Sequence, residues 1–135
     1  MDTGKSALGL DGNVAAALGY PIGIIAIISL IMEKENRFVK FHALQSLLLH
    51  VAFIVLALIL VFLFIILTIL GVAASVAGGP GGAIGGIFSM LLGLVWMVMI
   101  LAYIGGLIFA AVKAYGGEKL VLPVIGPMAD KWTGN

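Results

Sequence analysis

Residues 33–50 read EKENRFVKFHALQSLLLH, the one stretch where the side chains are chemically varied. Both histidines, the single glutamine and three of the seven basic residues fall here. A helix starting near Asn36 turns 100° per residue, so His42, Gln45, Ser46, Leu49 and His50 share a face about 140° wide. Arg37, Lys40, Leu44, Leu47 and Val51 lie on the opposite side. An imidazole on such a face can pack against a partner, ligate a metal or move a proton. Zinc needs more donors than the neighbourhood offers. Acid–base catalysis needs a nucleophile or carboxylate in defined geometry, and none is spaced for it. An axial bond to a tetrapyrrole at His42 or His50 is the cofactor chemistry that remains. Two histidines on one helix cannot pinch one haem between them. His42 belongs at the interface and His50 about two turns deeper, where a polar side chain turns inward to a partner. Packing histidines are therefore the leading reading. The face of His42, Gln45, Ser46 and His50 is the candidate ligand face if packing is not the answer. Lys34, Arg37 and Lys40 suit lipid headgroups, their stems lying along apolar surface; a specific anionic lipid or acidic partner is the sharper alternative.

The elements around this stretch are apolar. The chain is 63% hydrophobic and 10% charged over 135 residues, where a soluble domain carries about 25% charged residues. That predicts an all-α integral membrane protein. Net charge +1 implies no nucleic-acid partner. Without cysteine there are no disulfides or thiolate sites. Residues 1–12 read as a polar tail. A cleaved signal peptide fits poorly, because the tail lacks net positive charge and the following run is too long for an h-region.

Three runs, 13–32, 44–74 and 84–112, are each long enough to cross a core of about 30 Å. Pro21 should kink the first. The second is over-long, so it should tilt or stand partly among headgroups. Between the second and third lies GGPGGAIGG, residues 78–86, a tight uncharged turn. It is not a phosphate loop, since no Lys or Ser/Thr follows in the required spacing. Residues 113–135, broken by Pro123 and Pro127, form an interfacial tail with Trp132 at headgroup level.

Three spans put residues 33–40 and the C-terminal tail on one side. That side holds Lys34, Arg37, Lys40, Lys113, Lys119 and Lys131; the other holds Lys5 alone. The bias predicts N-terminus out, C-terminus in, with a cytosolic helical collar before the second span, in a prokaryotic cytoplasmic membrane. Spans one and three then run parallel. Their small-residue stripes, Ala15/Gly19/Gly23 and Gly85/Ser89/Gly93, should face each other.

From Val51 to Val112 no Asp, Glu, Lys, Arg or His occurs. A self-contained proton-coupled transporter normally places such groups in the membrane. No inverted repeat is visible either.

The run YPIGIIAIISLIMEKENRFVKFHALQSLL, residues 20–48, resembles the signature of small prokaryotic membrane proteins of unknown function. These are related to the channel-like subunit of the chloroplast inner-envelope protein-import translocon. Its most specific part is ENRFVKFHALQS; LPVIGPMA, residues 122–129, is also similar to the family's ending. The resemblance implies no enzymatic activity and carries over no catalytic residue. The plastid relatives resemble a four-span protein, whereas three spans fit here. The expectation is a non-enzymatic accessory or assembly subunit, with lipids and other membrane subunits as partners and room for a homo-oligomer. A channel-like or translocation component is the alternative, and a haem- or pigment-carrying subunit a third.

Overall fold

A computed structural model describes residues 3–134; the outermost residues of the two tails, 1–2 and 135, lie outside that range. Among the described residues the regular structure is helical: α1 (Gly12–Gly19), α2 (Gly23–Met32), α3 (Arg37–Val76), α4 (Gly81–Tyr115) and α5 (Ile125–Trp132). Two of these, α3 and α4, are long and apolar enough to cross a membrane. The chain forms two units. One takes in everything up to Ala52 and from Tyr103 onward; the other is Phe53–Ala102.

The first apolar run corrects the expectation of a single kinked helix. Pro21 does not kink it but ends it. Proline has no N–H to donate and its ring crowds the preceding turn. The chain leaves α1 at Tyr20, passes Ile22 in a non-helical conformation and restarts as α2. The two short helices pack on each other. At the closed end, a Cβ added to Gly19 would lie 3.5 Å from the Ala26 Cβ. At the open end the N-terminal segment meets the turn after α2. The Ala7 N–H donates to Glu33 Oε2 at 2.7 Å, and Asn36 Nδ2 donates to the carbonyls of Thr3 and Lys5. The tail is therefore at the same end of this unit as residues 33–36. A helix crossing the membrane once over 13–32 would have separated them by about 30 Å.

α3 begins where a cap allows it. Asn36 Oδ1 accepts the Val39 N–H at 3.1 Å, and Glu33 Oε1 accepts the Asn36 N–H at 3.1 Å. Side-chain acceptors at this position satisfy amides that have no intrahelical partner. The collar and the second apolar run are thus one 40-residue helix, about 60 Å long at 1.5 Å per residue. α4 ends in a Schellman turn. Gly117, at φ +74°, donates to the Ala114 carbonyl while Glu118 donates to that of Lys113. This leads the chain into residues 118–122, which belong to no helix, and then α5.

In the Phe53–Ala102 unit the two long helices form a hairpin. Gly85 sits beside Gly71, where an added Cβ would be 3.7 Å from the Gly71 Cα. Leu60, Val61, Phe64, Ser89, Leu92, Gly93 and Trp96 line an open apolar groove of about 220 Å³. Within each unit, small residues of the two stripes have near neighbours of their own. Gly19 meets Ala26, Gly23 meets His50, and Gly85 meets Gly71.

Candidate functional site

The first unit buries polar side chains where a membrane protein can least leave them unpaired. His42, Gln45 and Ser46, with Tyr20, Val39 and Phe41, are fully buried. All but Tyr20 come from the first turns of α3; Tyr20 comes from the break that Pro21 imposes. Without that break Tyr20 would continue a helix instead of turning its phenol toward α3.

Gln45 is the hub. Its Nε2 donates to Tyr20 Oη at 2.7 Å and to the Leu120 carbonyl at 2.9 Å, and its Oε1 accepts the Leu122 N–H at 3.0 Å. Both of its amide protons and one of its two carbonyl lone pairs are used. The Tyr20 hydroxyl, accepting from Gln45, is free to donate to His42 Nδ1, 2.9 Å away. The proton of His42 then sits on Nε2. That nitrogen is buried without a well-formed hydrogen bond, facing the Glu118 backbone carbonyl. The tautomer follows from the direction of the network. The ring is enclosed edge-on by Tyr20, Phe38 and Phe41, with centroids 5.9, 4.5 and 5.2 Å away.

The other two members of the predicted face act separately. Ser46 Oγ donates to the Gly19 carbonyl at 2.8 Å, satisfying an acceptor that the end of α1 leaves open. His50, half-buried, has Nδ1 2.7 Å from the Ser46 carbonyl. A carbonyl only accepts, so His50 carries its proton on Nδ1. Its ring meets Tyr103 edge-on at 5.8 Å. The four residues thus share one helix face but form two contacts sets: His42 with Gln45, and Ser46 with His50.

Lys34 and Arg37 are exposed and Lys40 half-buried. Among the described residues the ion pairs are Lys5–Asp11 at 2.6 Å, Lys113–Glu118 at 2.8 Å and Lys119–Asp130 at 2.5 Å. None involves Lys34, Arg37 or Lys40. Lys119 also stands over the Phe41 ring at 4.8 Å, which ties the C-terminal segment to α3 a second time.

Sequence reasoning missed four residues of this core. Tyr20 was readable in principle: a phenol inside an apolar run needs a partner for its hydroxyl. Glu33 is buried and holds two backbone amides, yet in the sequence it is one charge among several. Asn13 reaches the Tyr115 carbonyl at 2.8 Å, a contact 102 residues apart that no local pattern announces. Gly126 has no room for a side chain, since a Cβ there would overlap Val121 Cγ1 and approach Gln45 Oε1 to 2.9 Å.

Chemically the arrangement holds chain segments together. Its hydroxyl–imidazole pair, Tyr20 with His42, is fully buried, and no group of three or more metal-binding side chains occurs among the described residues. Long apolar helices with a buried polar clasp define a small helical membrane protein. The chain belongs to the magnetosome magnetite crystal formation protein family, MamF_MmsF, whose family model matches residues 7–129. It is similar to a UPF0132 membrane protein of Methanocaldococcus jannaschii, 37% identical over 131 residues, covering 96% of each chain. A UPF0132 membrane protein of Archaeoglobus fulgidus is 34% identical over 123 residues, covering 90% of this chain and 95% of its own. No solved structure matches the chain.

Proposed function

We propose that the protein is a non-enzymatic membrane subunit whose role is to pack with other membrane proteins as an accessory or assembly component. The carrying observation is the closed hydrogen-bond circuit around Gln45. It commits the chain's most reactive-looking side chains to internal partners. What is left outward is apolar surface on α2, α3 and α4, together with the cations Lys34, Arg37 and Lys40 for lipid headgroups. Surface of this kind suits neighbours more than substrates. The crystal-forming activity named for the family would reach this chain through such contacts. Its described acidic groups are largely engaged: Asp11, Glu118 and Asp130 pair with lysines, and Glu33 holds amides.

Extraction into a mild detergent or native nanodiscs, followed by size and composition analysis, tests this. A complex of defined stoichiometry is expected; a lone, monodisperse monomer would count against it. Ion or peptide flux from purified protein in liposomes would favour the channel-like alternative. A visible absorption band abolished by His50→Leu would favour the tetrapyrrole alternative. His42 offers that ligand no open nitrogen, as Nδ1 faces Tyr20 and Nε2 is buried.

A further inference from the structure

The residues of α2 are arranged inside out for water. Ala26 and Ser29 are buried, while Ile24, Ile27, Ile28 and Ile31 are exposed. Their spacing of three, four and seven puts the four isoleucines on one stripe. A helix that hides its small residues and displays its large ones matches an apolar solvent. Its 10 residues span about 15 Å, half the thickness of a hydrocarbon core of about 30 Å. The break at Tyr20–Pro21–Ile22, the closed end of the α1–α2 hairpin, is uncharged. The open end carries Lys34 and Arg37, exposed and outside the ion pairs, beside the N-terminal segment that Glu33 and Asn36 hold there. All seven basic residues, Lys5, Lys34, Arg37, Lys40, Lys113, Lys119 and Lys131, lie outside the stretch between Lys40 and Lys113.

From these observations we propose that α1–α2 is a re-entrant hairpin. It enters the cytosolic leaflet to about mid-depth and returns to the same side, with the isoleucine stripe of α2 against lipid acyl chains. Non-spanning backbone is tolerated at that depth when its polar groups find partners in protein; at the break Ser46 donates to the Gly19 carbonyl and the Ile22 N–H to that of Leu18, while the Pro21 and Ile22 side chains stay exposed. The basic residues then all lie at the cytosolic face, both termini are cytosolic, and the protein crosses the membrane twice. Seven basic residues against none is a sharper bias than the six against one of a three-span reading.

The natural absence of cysteine allows single-cysteine variants with no background. Lys5→Cys, Lys131→Cys and Gly79→Cys, the last in the turn between α3 and α4, are exposed to a membrane-impermeant maleimide. Intact cells and inverted vesicles are compared. Lys5→Cys and Lys131→Cys should label only in inverted vesicles, and Gly79→Cys only in cells. Labelling of Lys5→Cys from outside restores a third crossing and overturns the hairpin. A spin label at Ile24, Ile27 or Ile31, in nanodiscs holding one copy, reads the occupant of the stripe. Collision with oxygen but not with a water-soluble nickel complex, deepest at Ile24 and shallowest at Ile31, is the lipid result. Collision with nickel at all three sites, or with neither reagent, shows water or protein there instead and overturns the proposal. The substituted isoleucines are exposed, so a folding failure at these sites would itself contradict the assignment.

Discussion

Replacing Gln45 by Leu removes the hub of the clasp while nearly keeping its volume. Three hydrogen bonds go, at 2.7, 2.9 and 3.0 Å. A net bond contributes about 0.5–1.5 kcal/mol, and a buried polar group left without a partner costs about 1–3 kcal/mol. The freed Leu120 carbonyl and Leu122 amide belong to half-buried residues, so part of their loss is recovered by water. The Tyr20 hydroxyl is fully buried and keeps only His42. The sum is a loss of about 2–4 kcal/mol. Because Gln45 holds the backbone at 120 and 122, the loss should appear first as release of residues 118–134. Trp132 reports on that segment once Trp96, the other of two tryptophans, is replaced by Phe. Denaturant titration in micelles, followed by Trp132 emission, should show Gln45→Leu unfolding well before its parent. Thr68→Val is the reference, because its hydroxyl only back-bonds to the Phe64 carbonyl on an exposed helix surface. A shift under about 0.5 kcal/mol is expected there. Equal shifts for the two variants would refute the hub role of Gln45.

Tyr20→Phe should destabilise by about 1–3 kcal/mol in the same titration, since it leaves His42 Nδ1 and one Gln45 proton unpaired in a buried site. Gly126→Ala should cost about 1–3 kcal/mol by overpacking against Val121 and Gln45; Gly23→Ala, where the new Cβ would sit 3.8 Å from His50 at ordinary contact distance, should be near neutral. Glu33→Leu should free the N-terminal segment, seen as faster proteolysis before residue 12, because the Ala7 and Asn36 amides lose their acceptor.

Helical class, the two long apolar helices, the collar continuous with α3 and the uncharged turn before α4 were all legible from periodicity and composition. The first run was not. Hydropathy reads residues 13–32 as one span because Pro21 is tolerated in membrane helices. Only the tertiary contacts of Ala7 with Glu33 and of Gly19 with Ala26 decide that it folds back. The inward face of His42, Gln45, Ser46 and His50 follows from the helical angle. Its partners do not, since Leu120 and Leu122 lie 75 and 77 residues away from Gln45. Glycine spacing says that something can come close, and Gly71 and His50 are what came.

Polar side chains of α3 find their partners inside the protein, and the two histidines test that together. ¹⁵N spectra of histidine-labelled protein in micelles at pH 8 should show two rings of opposite tautomer. His42 should carry its proton on Nε2 and His50 on Nδ1, assigned by loss of one set in His50→Gln. Two rings of the same tautomer, or a His42 ring exchanging freely with water, would contradict it.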